Sequence, residues 1–330
     1  MEETGLNMPL VSVCIPAYNC EKYVGDAVRS VLSQNYNNIE VIIVDDGSTD
    51  GTLNAIRKID DSRVKTITSR NKGASAARNL AYQNSNGRYV IFFDADDLLP
   101  ADFIAKQVNR ANRQQDVVVL SGWGRFYNDD PGTFKQEEIP YREMLLADWI
   151  NTYWYQGNPM TAPGRALIPR QLLENAGLWN EELTLNDDLE FYTRLFIKAR
   201  CILFCTDALL YYRSGIGGLS GHKGDKAYRS LLKSIRLSVN HILQALGNHD
   251  QIKQSCANML QGFIYELYPR HRKLVQEAQN EIDTLAKPNL KFMAGGLTAY
   301  LVAAIGWKFT KWVKLFLKVI PINRQIIKPH

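Results

Sequence analysis

The stretch VIFFDADDLL, residues 90–99, runs four apolar residues into three acids within four positions. The apolar run reads as a buried strand, and the acids mark where it leaves the core. Carboxylates this close repel one another, and charge near a core is costly unless something compensates it. A hard divalent cation is the natural compensator, because Mg²⁺ and Mn²⁺ take oxygen ligands and share them with phosphates. Residues two apart on a strand face the same way, so Asp94 and Asp96 are expected on one side with Asp97 beside them. The ordinary alternative is a solvated turn at a strand end.

Working outward, LVSVCIP (10–16), IEVIIVDD (39–46), VKTIT (64–68) and DVVVLSGW (116–123) read as further strands rich in Val and Ile. Between them EKYVGDAVRSVLSQ (21–34), GTLNAIRKI (51–59), GASAARNLAYQNS (73–85) and ADFIAKQVNRANRQ (101–114) carry helical spacing. This alternation indicates βαβ units and a mainly parallel sheet covered on both faces. Ligands in such folds sit beyond the C-terminal ends of the strands. PAYN (16–19), DDGSTDG (45–51) and DADD (94–97) each follow a strand and should gather at one sheet edge. No dinucleotide-type glycine fingerprint and no phosphate loop ending in Gly-Lys-Ser/Thr follows the first strand, which sets both nucleotide-binding types aside.

Several side chains in these clusters have both an ordinary reading and a chemical one. Ser48, Thr49 and Asp50 suit helix N-caps, but Asp45 and Asp46 are left without a local role. A carboxylate there can accept hydrogen bonds from a nucleobase, and Tyr18 can stack on the base. Arg78 lies in an alanine-rich helix and reads as a surface arginine or a diphosphate ligand. In LNDDLEFYTRLF (185–196), Asp187 and Asp188 open a helix whose core face is Leu189, Tyr192 and Leu195. Acids in a first turn complement the helix dipole, and the same field keeps a carboxylate ionised, as a general base must be.

From about residue 10 to 215 the chain resembles glycosyltransferase family 2, the inverting enzymes of the GT-A fold, of the type that builds bacterial surface polysaccharides such as capsule, lipopolysaccharide and exopolysaccharide. The resemblance rests on SVCIPAYN (12–19), VIIVDDGSTDGT (41–52), NKGASAARN (71–79), FFDADD (92–97) and NDDLEFYTRL (186–195), with YYRSG (211–215) weaker. It implies a Rossmann-like α/β/α sandwich and an Asp-x-Asp pair that binds Mn²⁺ or Mg²⁺ on a nucleotide-sugar diphosphate. Asp96 would be the principal metal ligand, and Asp94 would contact the metal or the ribose. Tyr18 and Asp46 would hold the base, usually uracil, with Pro16 also on the donor-binding side and Arg78 near the nucleotide. Asp188 matches the catalytic base, preceded by Asp187 where the family more often has Glu. Asp45, Asp97, Asp187, Arg213 and His222 are auxiliary candidates. A histidine often follows the YYR segment in this family; here Ser214 and Gly215 stand there, and His222 comes later.

The implied activity is hexosyl-type transfer from a UDP-sugar to a hydroxyl of a glycan or lipid-linked acceptor. A two-carboxylate hydrolase fits less well, because it needs a raised-pKa acid for its leaving group and a metal-held diphosphate does not. The competing reading is a non-catalytic nucleotide-sugar-binding scaffold subunit of a membrane synthase complex.

The 330 residues divide, on this reading, into a catalytic domain, 1–220, and a helical extension, 221–330. Five scattered cysteines and an acidic N-terminus without a long apolar run predict reduced thiols, a cytoplasmic setting and no secretory signal. The net charge of +5 is concentrated at the other end: no acid follows Asp283, while eight lysines and arginines do. Lys308, Lys311, Lys314 and Lys318 on one side of a helix, with Trp307, Phe309, Trp312, Phe316 and Val319 mostly elsewhere, predict an interfacial helix on an anionic membrane. The expected location is therefore peripheral, on the inner face of the cell membrane. The apolar run 292–307 is near the short limit for a span and holds three glycines. Nothing besides the basic tail suggests a nucleic-acid partner, and none is expected.

Overall fold

A computed structural model describes residues 8–137, 143–157, 162–216 and 224–319. Its first half alternates β1 (Val11–Ala17), α1 (Val24–Leu32), β2 (Ile39–Asp45), α2 (Thr52–Arg57), β3 (Val64–Thr68), α3 (Ala74–Gln83), β4 (Tyr89–Phe92), α4 (Phe103–Ala111) and β5 (Val117–Tyr127). There follow β6 (Asp130–Gln136), α5 (Leu146–Trp149), β7 (Ala166–Pro169), α6 (Arg170–Ala176), α7 (Asp187–Lys198), β8 (Cys201–Arg213) and α8 (Asp225–Leu246). Three more helices, α9 (Asp250–Leu267), α10 (Arg272–Leu285) and α11 (Leu297–Val319), complete the described chain.

The strands run β3-β2-β1-β4-β7-β5-β6, with β8 paired to β5. β1 is central and parallel to both β2 and β4, in registers Ala17↔Asp45 and Cys14↔Phe92. This register puts the ends of three strands side by side, as the sequence predicts. β1, β2 and β4 are almost wholly buried because helices cover the sheet, which is why they read as near-continuous Val and Ile runs. Each fully buried Val or Ile contributes roughly 1.5–3 kcal/mol relative to exposure. The sheet is mixed rather than purely parallel: β7 lies antiparallel between β4 and β5.

The chain divides into two compact units, Met1–Ile150 with Pro159–Gly247 and Asn151–Asn158 with Asn248–His330. The first unit therefore runs past the boundary expected at 220 and takes in α8. The reason is packing: α8 buries Leu232, Ile235, Val239 and Ile242 and lies against α7. Ser230 accepts hydrogen bonds from the Thr184 and Leu185 amides at 2.8 and 3.1 Å, fixing the approach to α7. In the second unit α9 packs on α10, and α11 is broken at Gly306, whose φ of 76° and ψ of 158° are not helical. Among the described residues no helix is long and apolar enough to cross a membrane.

Candidate active site

The loops after β1 and β2 are stitched together before they meet anything else. The Asn19 carboxamide oxygen accepts from the Thr49 amide at 2.8 Å, while the Asn19 amide donates to Ser48 Oγ at 3.0 Å. Asp50 accepts from the Glu21 and Thr52 amides, and Cys20 N–H donates to Thr52 Oγ1 at 2.8 Å. Burial pushes the Cys20 thiol up to about 12, so it is not a nucleophile at neutral pH. Pro16 lies half-buried near the end of β1, and Tyr18, just beyond it, is 46% exposed.

Asp46 is held by the loop that follows β3. Its two oxygens accept from Ser69 Oγ at 2.8 Å, from the Lys72 amide at 3.0 and 3.1 Å, and from the Gly73 amide at 2.7 Å. Those bonds occupy most of the acceptor capacity of a carboxylate. Asp46 therefore shapes the 69–73 loop that leads into α3. Gly47 makes the loop possible: its φ is 73°, and a Cβ there would meet the Asn71 amide nitrogen at 2.9 Å. Asp45 is buried beside it, and its Oδ1 has no hydrogen-bond partner.

Arg78 sits at the centre of the site and is neither a surface side chain nor an open phosphate ligand. It is 6% exposed, with Nη2 donating to Asp94 Oδ1 at 2.8 Å and Nη1 to Asp187 Oδ2 at 2.9 Å. Ser75, one turn earlier on α3, donates to the same Asp187 oxygen at 2.7 Å. The guanidinium lies 4.4 Å from the centre of the Trp179 ring. Burial opposes its charge, but Asp94 and Asp187 outweigh that and hold it firmly protonated. One arginine thus clamps an acid after β4 to an acid at the start of α7. Asp188 is next along α7, and its charge also acts on Arg78.

The DADD segment departs from the strand picture. β4 stops at Phe92, and Asp94–Asp97 form a turn in which the Asp97 amide donates to the Asp94 carbonyl at 3.3 Å. The acids come together through the turn, not through strand alternation. Arg213 holds that turn from β8. Its Nε donates to the Asp96 carbonyl at 2.6 Å, its amide to Asp97 Oδ1 at 2.9 Å, and Nη1 to Asp129 Oδ1 at 2.8 Å. Tyr23 and Phe126 sandwich the guanidinium at 4.7 and 4.6 Å. His222 lies outside the described residues.

Burial, reinforced by the Asp94 charge, pushes the Asp96 carboxyl up to about 6. Asp97 is raised well above the usual range by burial and by Asp96 and Asp94. Among the described residues no side chain donates a hydrogen bond to the Asp96 carboxylate. Asp97 Oδ2 is buried without a partner. The Asp96 carboxylate is a group that a hard cation would relieve, and with the Asp94 oxygen that Arg78 leaves over it would suit Mg²⁺ or Mn²⁺. Among the described residues no three His, Cys, Asp or Glu side chains form a ready-made metal cage. A cation here would complete its shell with substrate phosphate and water, the usual habit of Mg²⁺.

Ser75, Trp179 and Asp129 were not legible as site residues. Ser75 lies within NKGASAARN but nothing there points to its bond with Asp187, and Trp179, outside every motif, enters the site through Arg78. Asp129 reaches Arg213 from the turn between β5 and β6.

The family model for Glycosyl transferase family 2 matches residues 12–177, spanning the loops after β1, β2 and β4. This chain belongs to glycosyltransferase family 2. Over 245 residues it is 31% identical to an Escherichia coli protein named UDP-Glc:alpha-D-GlcNAc-diphosphoundecaprenol beta-1,3-glucosyltransferase WfaP, covering 71% of this chain and 90% of that one. An uncharacterized glycosyltransferase of Haemophilus influenzae is 44% identical over 107 residues, 32% of this chain and 43% of that protein. The fold matches S. aureus TarS, crystallised in complex with UDP-GlcNAc, with a TM-score of 0.68 and 21% identity over 84% of this chain and 82% of the other. The GT-A architecture followed by C-terminal helices is thereby established.

Proposed function

We propose that this glycosyltransferase is an inverting, hexosyl-type enzyme of surface-polysaccharide assembly. It takes a UDP-sugar as donor and a hydroxyl of a glycan or lipid-linked sugar as acceptor. The observation that carries the reading is the Arg78 clamp, which joins Asp94 of the DADD turn to Asp187, the neighbour of Asp188. A group suited to a diphosphate and a group suited to take a proton are thus tied into one site by a buried side chain. The E. coli relative, whose name specifies a UDP-glucose donor and a diphosphoundecaprenol-linked acceptor, supports the donor and acceptor classes.

In this scheme Tyr18 stacks on the base at the sheet edge, and Pro16 shapes the backbone beneath it. Asp96 and Asp94 would hold the cation, which would offset the negative charge that gathers on the departing diphosphate. Asp188 accepts the proton of the acceptor hydroxyl as its oxygen attacks the anomeric carbon. The bond from that carbon to the phosphate oxygen breaks on the opposite face, so the configuration inverts. Asp187 remains bound to Arg78 and Ser75, so its carboxylate fixes the start of α7 and leaves Asp188 as the base.

The test is release of nucleoside diphosphate from a panel of nucleotide sugars, with lipid-linked acceptors, in Mn²⁺, Mg²⁺ or EDTA. Release from one donor, dependent on metal and giving a product of inverted configuration, is expected. Retained configuration, or hydrolysis that ignores the acceptor, would overturn the scheme.

A further inference from the structure

We propose that α11 is a membrane-seating helix whose aromatic outer face enters an anionic lipid surface. Its inner face is already occupied. Beyond the break at Gly306, the Trp307 ring packs edge-on against Tyr265 and Tyr268, at 4.7 and 5.4 Å between centroids, and stacks on Phe292 at 5.9 Å. Thr310 is fully buried. Lys311 turns inward, donating to the Tyr265 carbonyl and to that of Glu266 at the C-terminal end of α9. This corrects the expected arrangement of four lysines on one solvent face: Lys311 pins the helix to the protein.

The opposite face is left over. Phe309, Trp312 and Phe316, spaced three and four apart, are 53%, 47% and 56% exposed. Their rings stack in a row, Phe309 on Trp312 at 6.3 Å and Trp312 on Phe316 at 5.7 Å. Before the break, Leu297, Tyr300, Leu301 and Ile305 are exposed as well. Apolar patches of this extent mark an interaction surface.

Charge selects the occupant. Lys308 and Lys314 are exposed on the same helix, and no acid follows Asp283 anywhere in the sequence. Aromatic rings with lysine neighbours and no acids suit the headgroup boundary of an anionic leaflet. The helix lies on such a surface rather than through it, since its apolar part is short and interrupted. The placement deepens the reading of a lipid-carried acceptor and rests on that reading for its purpose, but the test below does not pass through catalysis.

The full-length protein is sedimented with phosphatidylcholine vesicles, with and without phosphatidylglycerol. Binding is expected to be about tenfold or more tighter on the anionic vesicles. It should be lost in the triple variant Phe309→Ser, Trp312→Ser, Phe316→Ser and weakened in Lys308→Glu, Lys314→Glu. Brominated acyl chains should quench wild-type fluorescence more than that of Trp312→Phe. Because these side chains are exposed, the variants should keep the wild-type melting temperature. The proposal is overturned if wild type ignores both vesicle types, if the triple variant binds as wild type does, or if the triple variant abolishes a concentration-dependent dimer that binds no lipid.

Discussion

Arg78 is the residue on which the site's geometry turns. Its planar fork holds two carboxylates on separate nitrogens at a fixed spacing, a geometry that a compact ammonium with freely rotating donors does not impose. Arg78→Lys should therefore fold but lose on the order of a hundredfold in kcat/KM, read by steady-state diphosphate release, as Asp187 and Asp94 drift apart. Arg78→Ala leaves both acids without their buried partner and should cost about 3 kcal/mol by denaturant titration. Asp96 predicts the opposite trade. Burial and the Asp94 charge push its carboxyl from the ordinary 3.8 up to about 6 in the folded protein, so the folded state is relatively favoured when that group is protonated. The benefit is present below about 3.8 and is lost as pH rises through about 6. Asp96→Asn should melt several degrees above wild type at pH 8 in EDTA, with the gap closing as pH falls toward 4. A melting difference that does not change with pH would contradict this.

The sequence named the residue types of the site but not their partners. Asp94, Asp96 and Asp188 follow from motif positions; the clamp follows only from α3 and α7 meeting in space. Asp46 shows the limit most plainly. Its position after β2 suggests a ligand for a base, and nothing in that position says that the folded loop also directs two amides and a hydroxyl at it.

Among the elements, strands and helices with strong periodicity were readable, and those set by distant pairing were not. β4 ends four residues before Asp96 because the chain turns there to meet β8, through the Leu98–Tyr211 pairing. β7, four residues inserted antiparallel, carries too short a pattern to assign a direction. α8 looked like the start of an extension because its amphipathic stripe does not say what it covers. It covers α7: besides Ser230, His241 Nε2 lies 3.4 Å from Glu190 Oε1, the carboxylate that Arg194 also holds. Ser230→Ala removes the acceptor for two amides just before α7 and should cost about 1–3 kcal/mol. Because that loop delivers Asp187 and Asp188, kcat should fall with little change in the donor KM. A rise in donor KM at constant kcat would place the effect elsewhere.

For the molecule as a whole, the acid cluster is a local cost that ligands should repay. Donor diphosphate and Mn²⁺ together should raise the melting temperature in step with affinity, about 2.7 kcal/mol at a hundred times Kd. Nucleotide without metal should give less. The most direct test of the division of labour is calorimetry of UDP-sugar binding with Mn²⁺ to wild type, Asp96→Asn and Asp188→Asn, alongside turnover. Asp188→Asn is predicted to bind donor as wild type does and to lose turnover, while Asp96→Asn loses the metal-dependent binding itself. Full turnover in Asp188→Asn, or undiminished metal-dependent binding in Asp96→Asn, would contradict the roles assigned to these two carboxylates.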